Sequence, residues 1–303
     1  GRQGNGPGEF VRLSSVLAVG GDTIAAFDGR LRRISLLTAN GETVRDYVIQ
    51  PPEHASVMGL AGAVGALEDG GVVIWLQTMP SEEEIARQNQ PNIVGQVPLI
   101  LFVVDSAGRT TSVIGEFPGV EMYAGSTLTP SGERVPANWG PAPFGDWTGF
   151  GVHNDNVYVF RARDGTVRVY SSAGQLRATY RLSLPVRSVT GADRRRHIDE
   201  WMKRFPPWLE ERRTELELVE YPETMPAYRD AVVGSDGIVW IEPYASWGSE
   251  RRLYVGYDST GLAIGKLALG ADDRVLHIGN GRAVLLDVAE DGVETIRLAW
   301  FRF

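Results

Sequence analysis

His153, Asn154 and Asp155 stand in succession, and an imidazole beside a carboxylate can contribute ligands to a divalent metal such as calcium. The competing reading, preferred here, is a tight turn, because Asn154-Asp155-Asn156 are residue types that cap and reverse a chain. A three-histidine centre would need three of His54, His153, His197 and His277, which lie far apart in the chain. A second set is aromatic. Trp139, Phe144, Trp147 and Phe150 fall in a Pro- and Gly-rich stretch, where rings on loops can anchor a sugar or a protein partner or, alternatively, pack over a neighbouring element.

Other chemistries lack their residues. Cysteine is absent, which removes thiol catalysis, disulfides and thiolate-bound metals together. No Gly-x-Ser-x-Gly elbow supports a Ser/His/Asp hydrolase, and Gly1 to Gly8 lack the Lys-Ser/Thr ending of a phosphate loop. The sequence therefore predicts no catalytic constellation and no cofactor.

Composition narrows the class. A chain of 303 residues with 43% hydrophobic and 22% charged residues can bury a sizeable core. The net charge is −8, and nearly all the basic residues are scattered arginines. Without a cationic stripe, nucleic acid is a poor partner. The longest apolar runs, Val72 to Leu76 and Leu99 to Val104, are far below the ~20 residues a membrane helix needs.

What must position the candidate residues is a repeat. A turn closing on glycine recurs at Gly41, Gly108, Gly174 and Gly261, each between two strand-like runs. Upstream of each lies a second turn, at Gly21-Asp22, Asp69-Gly70, Asn154-Asp155 and Asp236-Gly237, and a fifth copy follows at Asn280-Gly281. Each unit reads as four strands, and the unit spacing exceeds the ~40 residues of a propeller blade, so insertions are expected. They fall at Pro80 to Val97, Val135 to Gly151 and Gly191 to Pro226. In the last, Ile198, Trp201, Met202 and Phe205 have helical spacing ahead of Pro206-Pro207, which predicts a helical hairpin laid across one face.

The opening Gly1-Arg2-Gln3-Gly4-Asn5-Gly6-Pro7-Gly8-Glu9-Phe10, the repeats, and the tail from Asp273 through Val293-Glu294-Thr295-Ile296-Arg297-Leu298 resemble bacterial six-bladed β-propeller proteins of the NHL-repeat-like type. The resemblance implies an all-β fold as one propeller domain over 1–303, with blades at about 10–50, 56–117, 118–183, 226–269 and 270–303. A sixth blade would lie upstream of Gly1, and an N-terminal anchor outside the chain could attach it to a membrane. It also implies an extracytoplasmic location: periplasmic, secreted or lipid-anchored. The expected function is a non-catalytic scaffold or recognition module binding a protein or glycan through its inserted loops. The alternative is a metal-dependent lactonase or hydrolase using His153 and Asp155.

Overall fold

The computed structural model describes residues 3–55, 57–78, 94–128, 131–132, 134–203, 213, 216–244, 247, 249, 251–288 and 293–301, with backbone alone for 57–60, 94, 124–128, 134–139 and 288. Its strands form five sheets. The first contains β1 (Leu13–Ala18), β2 (Thr23–Asp28), β3 (Arg33–Thr38) and β4 (Thr43–Val48). The second contains β5 (Val57–Ala66), β6 (Val72–Thr78), β7 (Val94–Val104), β8 (Thr110–Leu128) and β9 (Arg134–Pro141). The third contains β10 (Thr148–His153), β11 (Asn156–Arg161), β12 (Thr166–Ser171) and β13 (Leu176–Arg181). Next come β14 (Tyr228–Val233), β15 (Val239–Pro243), β16 (Arg251–Tyr257) and β17 (Ala263–Gly270), then β18 (Arg274–Gly279), β19 (Arg282–Val288) and β20 (Glu294–Trp300).

Within every sheet, strands neighbour one another in sequence order, the arrangement of propeller blades. The first strands of the blades pack side by side in the order β1, β5, β10, β14, β18, and β18 does not close onto β1 in the same manner. The chain is thus a five-bladed propeller arrangement with an opening, consistent with room for a sixth blade.

The repeats correspond to this geometry. Gly41, Gly108, Gly174 and Gly261 each join the third to the fourth strand of a blade, at φ of 80 to 83°, where a side chain would be strained. The second turn of each repeat joins the first strand to the second. Both sets of short turns therefore lie at one end of the strands. At the opposite end lie the longer links, including 182–227 between blades.

Stability comes from pairs of blades rather than from any single sheet. Phe27 and Ile34 of the first blade pack with Ile74 and Phe102 of the second, and Leu101 and Val103 with Val157 and Val159 of the third. Phe160 meets Tyr228 and Ile241, and Trp240 and Tyr254 meet Ile278 and Leu285. Each fully buried side chain of this kind contributes about 1.5–3 kcal/mol. The opening breaks the series, and on β20 Ile296, Leu298 and Trp300 remain 70%, 52% and 67% exposed.

Two expectations change. A blade boundary near residue 117 is overturned, because β8 continues to Leu128 and pairs with β9, so the second blade has five strands and the third begins at Thr148. The stretch 135–151, read as a loop, is largely strand: its first part belongs to β9, paired with β8, and its last part, from Thr148, begins β10 of the next sheet. Of the expected helical hairpin, α1 (Gly191–Met202) is formed, while most of 204–215, with Phe205 and Trp208, lies outside the described residues, as does 80–93 of the first insertion. The glycine-rich opening folds as a turn, with the Glu9 N–H donating to the Gly6 carbonyl at 3.1 Å. Buried Arg33 holds it by donating to the carbonyls of Asn5 at 2.8 Å, Gly6 at 3.1 Å, and Glu9.

Candidate functional site

On the end of the propeller bearing the long links, a cavity of about 430 Å³ opens among the segment before β10, the start of β14, the link after β15 and α1. Each wall is fixed by a local device. Between β9 and β10 the chain turns at Ala142–Gly145, the Gly145 N–H donating to the Ala142 carbonyl at 2.9 Å. Glu121 of β8 clamps that turn. Its N–H donates to the Asp146 carbonyl, its carbonyl accepts from Ala142, each at 2.8 Å, and its carboxylate accepts from the Asp146 N–H at 2.8 Å and Arg163 at 2.6 Å. Phe144 takes a left-handed φ of 52°, uncommon for a bulky residue, and its ring is buried at 5% exposure.

Asp146 then sets the start of β10. The carboxylate is 2% exposed and accepts from Arg161 at 2.5 Å and from the N–H groups of Trp147 and Arg163 at 2.9 Å. Trp147 follows, half-buried, its ring edge-on to that of Tyr228 at 5.6 Å.

The third wall is α1. Thr190 caps it, and Asp193 completes a capping box with the Thr190 N–H at 2.9 Å. Arg187 bonds the Asp193 carboxylate at 2.5 Å and donates to the carbonyls of Tyr244 and Trp247 at 3.1 and 3.0 Å, so the helix is tied to the link after β15. Burial by itself would raise the pKa of Asp193, but hydrogen bonds from Thr190 and the charges of Arg187 and Arg196 outweigh it and hold the carboxyl below its ordinary value. His197, Glu200 and Trp201, at helical spacing, line the cavity together.

Aromatic rings close the floor. Phe144 lies 5.3 Å from His197, 5.9 Å from Tyr221, 6.0 Å from Tyr244 and 5.2 Å from Trp247. Burial pushes the Tyr221 phenol up to about 12. Arg196 and Arg187 lie over Trp247 at 5.6 and 5.9 Å. At the lip, exposed Arg229 is 3.7 Å from the Glu242 carboxylate, and Asp230 accepts from the Tyr254 hydroxyl at 2.7 Å. Arg252 grips Glu242 at 3.0 and 2.5 Å from beneath. The arrangement offers flat apolar faces beside charged groups of both signs, which suits a polar ligand with an apolar face.

Of the four aromatic residues singled out by sequence, Phe144 and Trp147 meet at this cavity. Phe150 lies further along β10 against Phe117, at 5.9 Å between rings. Trp139 falls in β9, opposite Ala124, with its side chain outside the description. His153 and Asp155 are at the other end of β10. There Asn154 has a φ of 52°, Asp155 accepts weakly from the Glu68 N–H at 3.4 Å, and the His153 ring lies beside Gly237. No group of three or more His, Asp or Glu residues that could hold a metal occurs among the described residues. Sequence reading did not bring out Arg229, Asp230, Tyr244 and Trp247, which reach the cavity only through blade stacking.

No protein-family model matches the chain, and no curated protein does. Solved structures do. A member of the duf4221 family from Bacteroides vulgatus is 11% identical with a TM-score of 0.47, over 98% of this chain and 81% of that one. Streptogramin B lyase is 13% identical with a TM-score of 0.39, over 96% and 83%. A protein of unknown function from Bacteroides caccae is 12% identical with a TM-score of 0.37, over 92% and 72%.

Proposed function

We propose that the chain is an exported, non-catalytic recognition module that binds glycans in the cavity beneath α1. One observation supports this most directly: Trp147, Trp201, Tyr244 and Trp247 converge on a single cavity whose polar groups include Glu200, Arg229 and Asp230. Indole and phenol rings stack on the apolar faces of sugar rings, while carboxylate and guanidinium groups take pairs of hydroxyls. Binding rather than turnover is favoured because the buried acidic groups are engaged in structure, Asp146 with Arg161 and Glu242 with Arg252. The export part of the reading rests on the likeness of the opening Gly-Pro-Gly-Glu-Phe to exported propellers.

Calorimetric titration with neutral oligosaccharides tests it. Trp201 is half-buried and stands on α1 away from the blade cores, so Trp201→Ala should lower affinity by about tenfold, ~1.4 kcal/mol, with the melting temperature unchanged. Failure of the wild type to bind any such sugar would remove the proposal, and so would equal binding by the variant.

A further inference from the structure

A second cavity, of about 410 Å³, adjoins the first between the second and third blades. Val120 lines both. Residues 145–147 line the first and 148–150 the second, so one backbone segment runs along the two. Between them stands the Trp147 ring. It folds over Gly149, where a Cβ would collide with it, so only glycine leaves the indole in this place.

The chemistry of the second cavity is distinct. Among the described residues its ring walls are Trp75 and Phe150, its polar groups are the Gln77 amide and the Thr148 hydroxyl, and no charged residue lines it. Thr148 is only 7% exposed, and among the described residues its covered Oγ1 has no hydrogen-bond partner. A buried hydroxyl without a partner is destabilising, and an occupant of the cavity relieves this once the neighbouring side chains that cover the atom give way. Rings, an amide and a hydroxyl without charge match a neutral sugar better than an anionic one or the charged side chains of a peptide.

Resting on the glycan reading of the first cavity, we infer that the ligand is a linear oligosaccharide of at least two units. One unit lies beneath α1, and a neutral unit passes Trp147 to bond Thr148 and Gln77.

The test is a calorimetric titration of the full chain with β-1,4- and α-1,4-linked gluco-oligosaccharides of one to six units. The expected result is an affinity that rises at least tenfold over the first additions and then levels off in one of the two ladders. Thr148→Val keeps the β-branched outline and removes an unpaired buried hydroxyl, so it should hold or raise the melting temperature. Together with Gln77→Ala it should lower affinity for the trimer about tenfold while leaving the shortest bound sugar unaffected. Trp201→Ala should weaken every length. Affinity independent of length, or a trimer bound equally by the Thr148 and Gln77 variant, overturns the second subsite while a Trp201 effect leaves the first standing. Absence of binding in both ladders overturns both.

Discussion

Asp146 reaches two backbone N–H groups and one guanidinium from a position 2% exposed, so one carboxylate decides where β10 begins and where the Trp147 indole stands. Asp146→Asn keeps the size and loses the charge, which leaves Arg161 facing an uncompensated site. Breaking one side of a buried pair costs about 3 kcal/mol or more. Urea titration should show a loss of that order, with ligand affinity at the first cavity falling as well. The Asp193 carboxyl carries a pH dependence. Its folded pKa lies below the ordinary value of 3.8, so near that pH the unfolded state binds more protons than the folded one. The stabilisation is therefore full above the unfolded value and is lost as pH falls through the folded one. Tryptophan fluorescence should report release of α1 below about pH 4, and Asp193→Asn should destabilise α1 at neutral pH and flatten this part of the acid titration.

Among the blade turns, Gly41 and Gly108 share a φ of 81° but differ in surroundings. A Cβ at Gly41 meets nothing within 4 Å, whereas at Gly108 it would collide with the Val48 carbonyl oxygen of the preceding blade. Gly41→Ala should cost about 1–2 kcal/mol for the left-handed backbone alone. Gly108→Ala should cost clearly more, and thermal melts of the two variants would measure the contact between blades. These turns were legible in the sequence because their geometry demands a particular residue, and a demand repeated in four blades shows as a period. The hairpin of β8 and β9 was not legible, since Pro118, Pro136 and Gly119 read as a loop. In the structure Pro118 sits opposite Pro98 beside a register shift that accommodates both. Half of the site was hidden for another reason. Phe144 and Trp147 stood in a visible aromatic run, but Trp247 and Arg229 meet them only after two blades pack, and helical spacing marked Trp201 as one of a stripe without showing that the stripe borders a cavity.

Across the molecule, each hydrophobic cluster in the stack of blades binds one blade to the next, and β18 and β1 lack the inner-strand packing that joins the others. Energetically residues 1–303 form a row of units with nearest-neighbour coupling. The middle blades pack their cores on both sides, while among the described residues the last packs its core on one face, against Trp240, Tyr254 and their neighbours. Hydrogen exchange should therefore be graded, with amides of β19 and β20 opening first and those of β6, β7 and β11 last. A flat profile across the five blades would contradict that ordering. Because the cavity beneath α1 is built from the second, third and fourth blades, a partly opened molecule that has released β18 to β20 still retains the cavity proposed to bind glycans. Fraying at the end of the row and loss of recognition are separate events, with separate midpoints in denaturant.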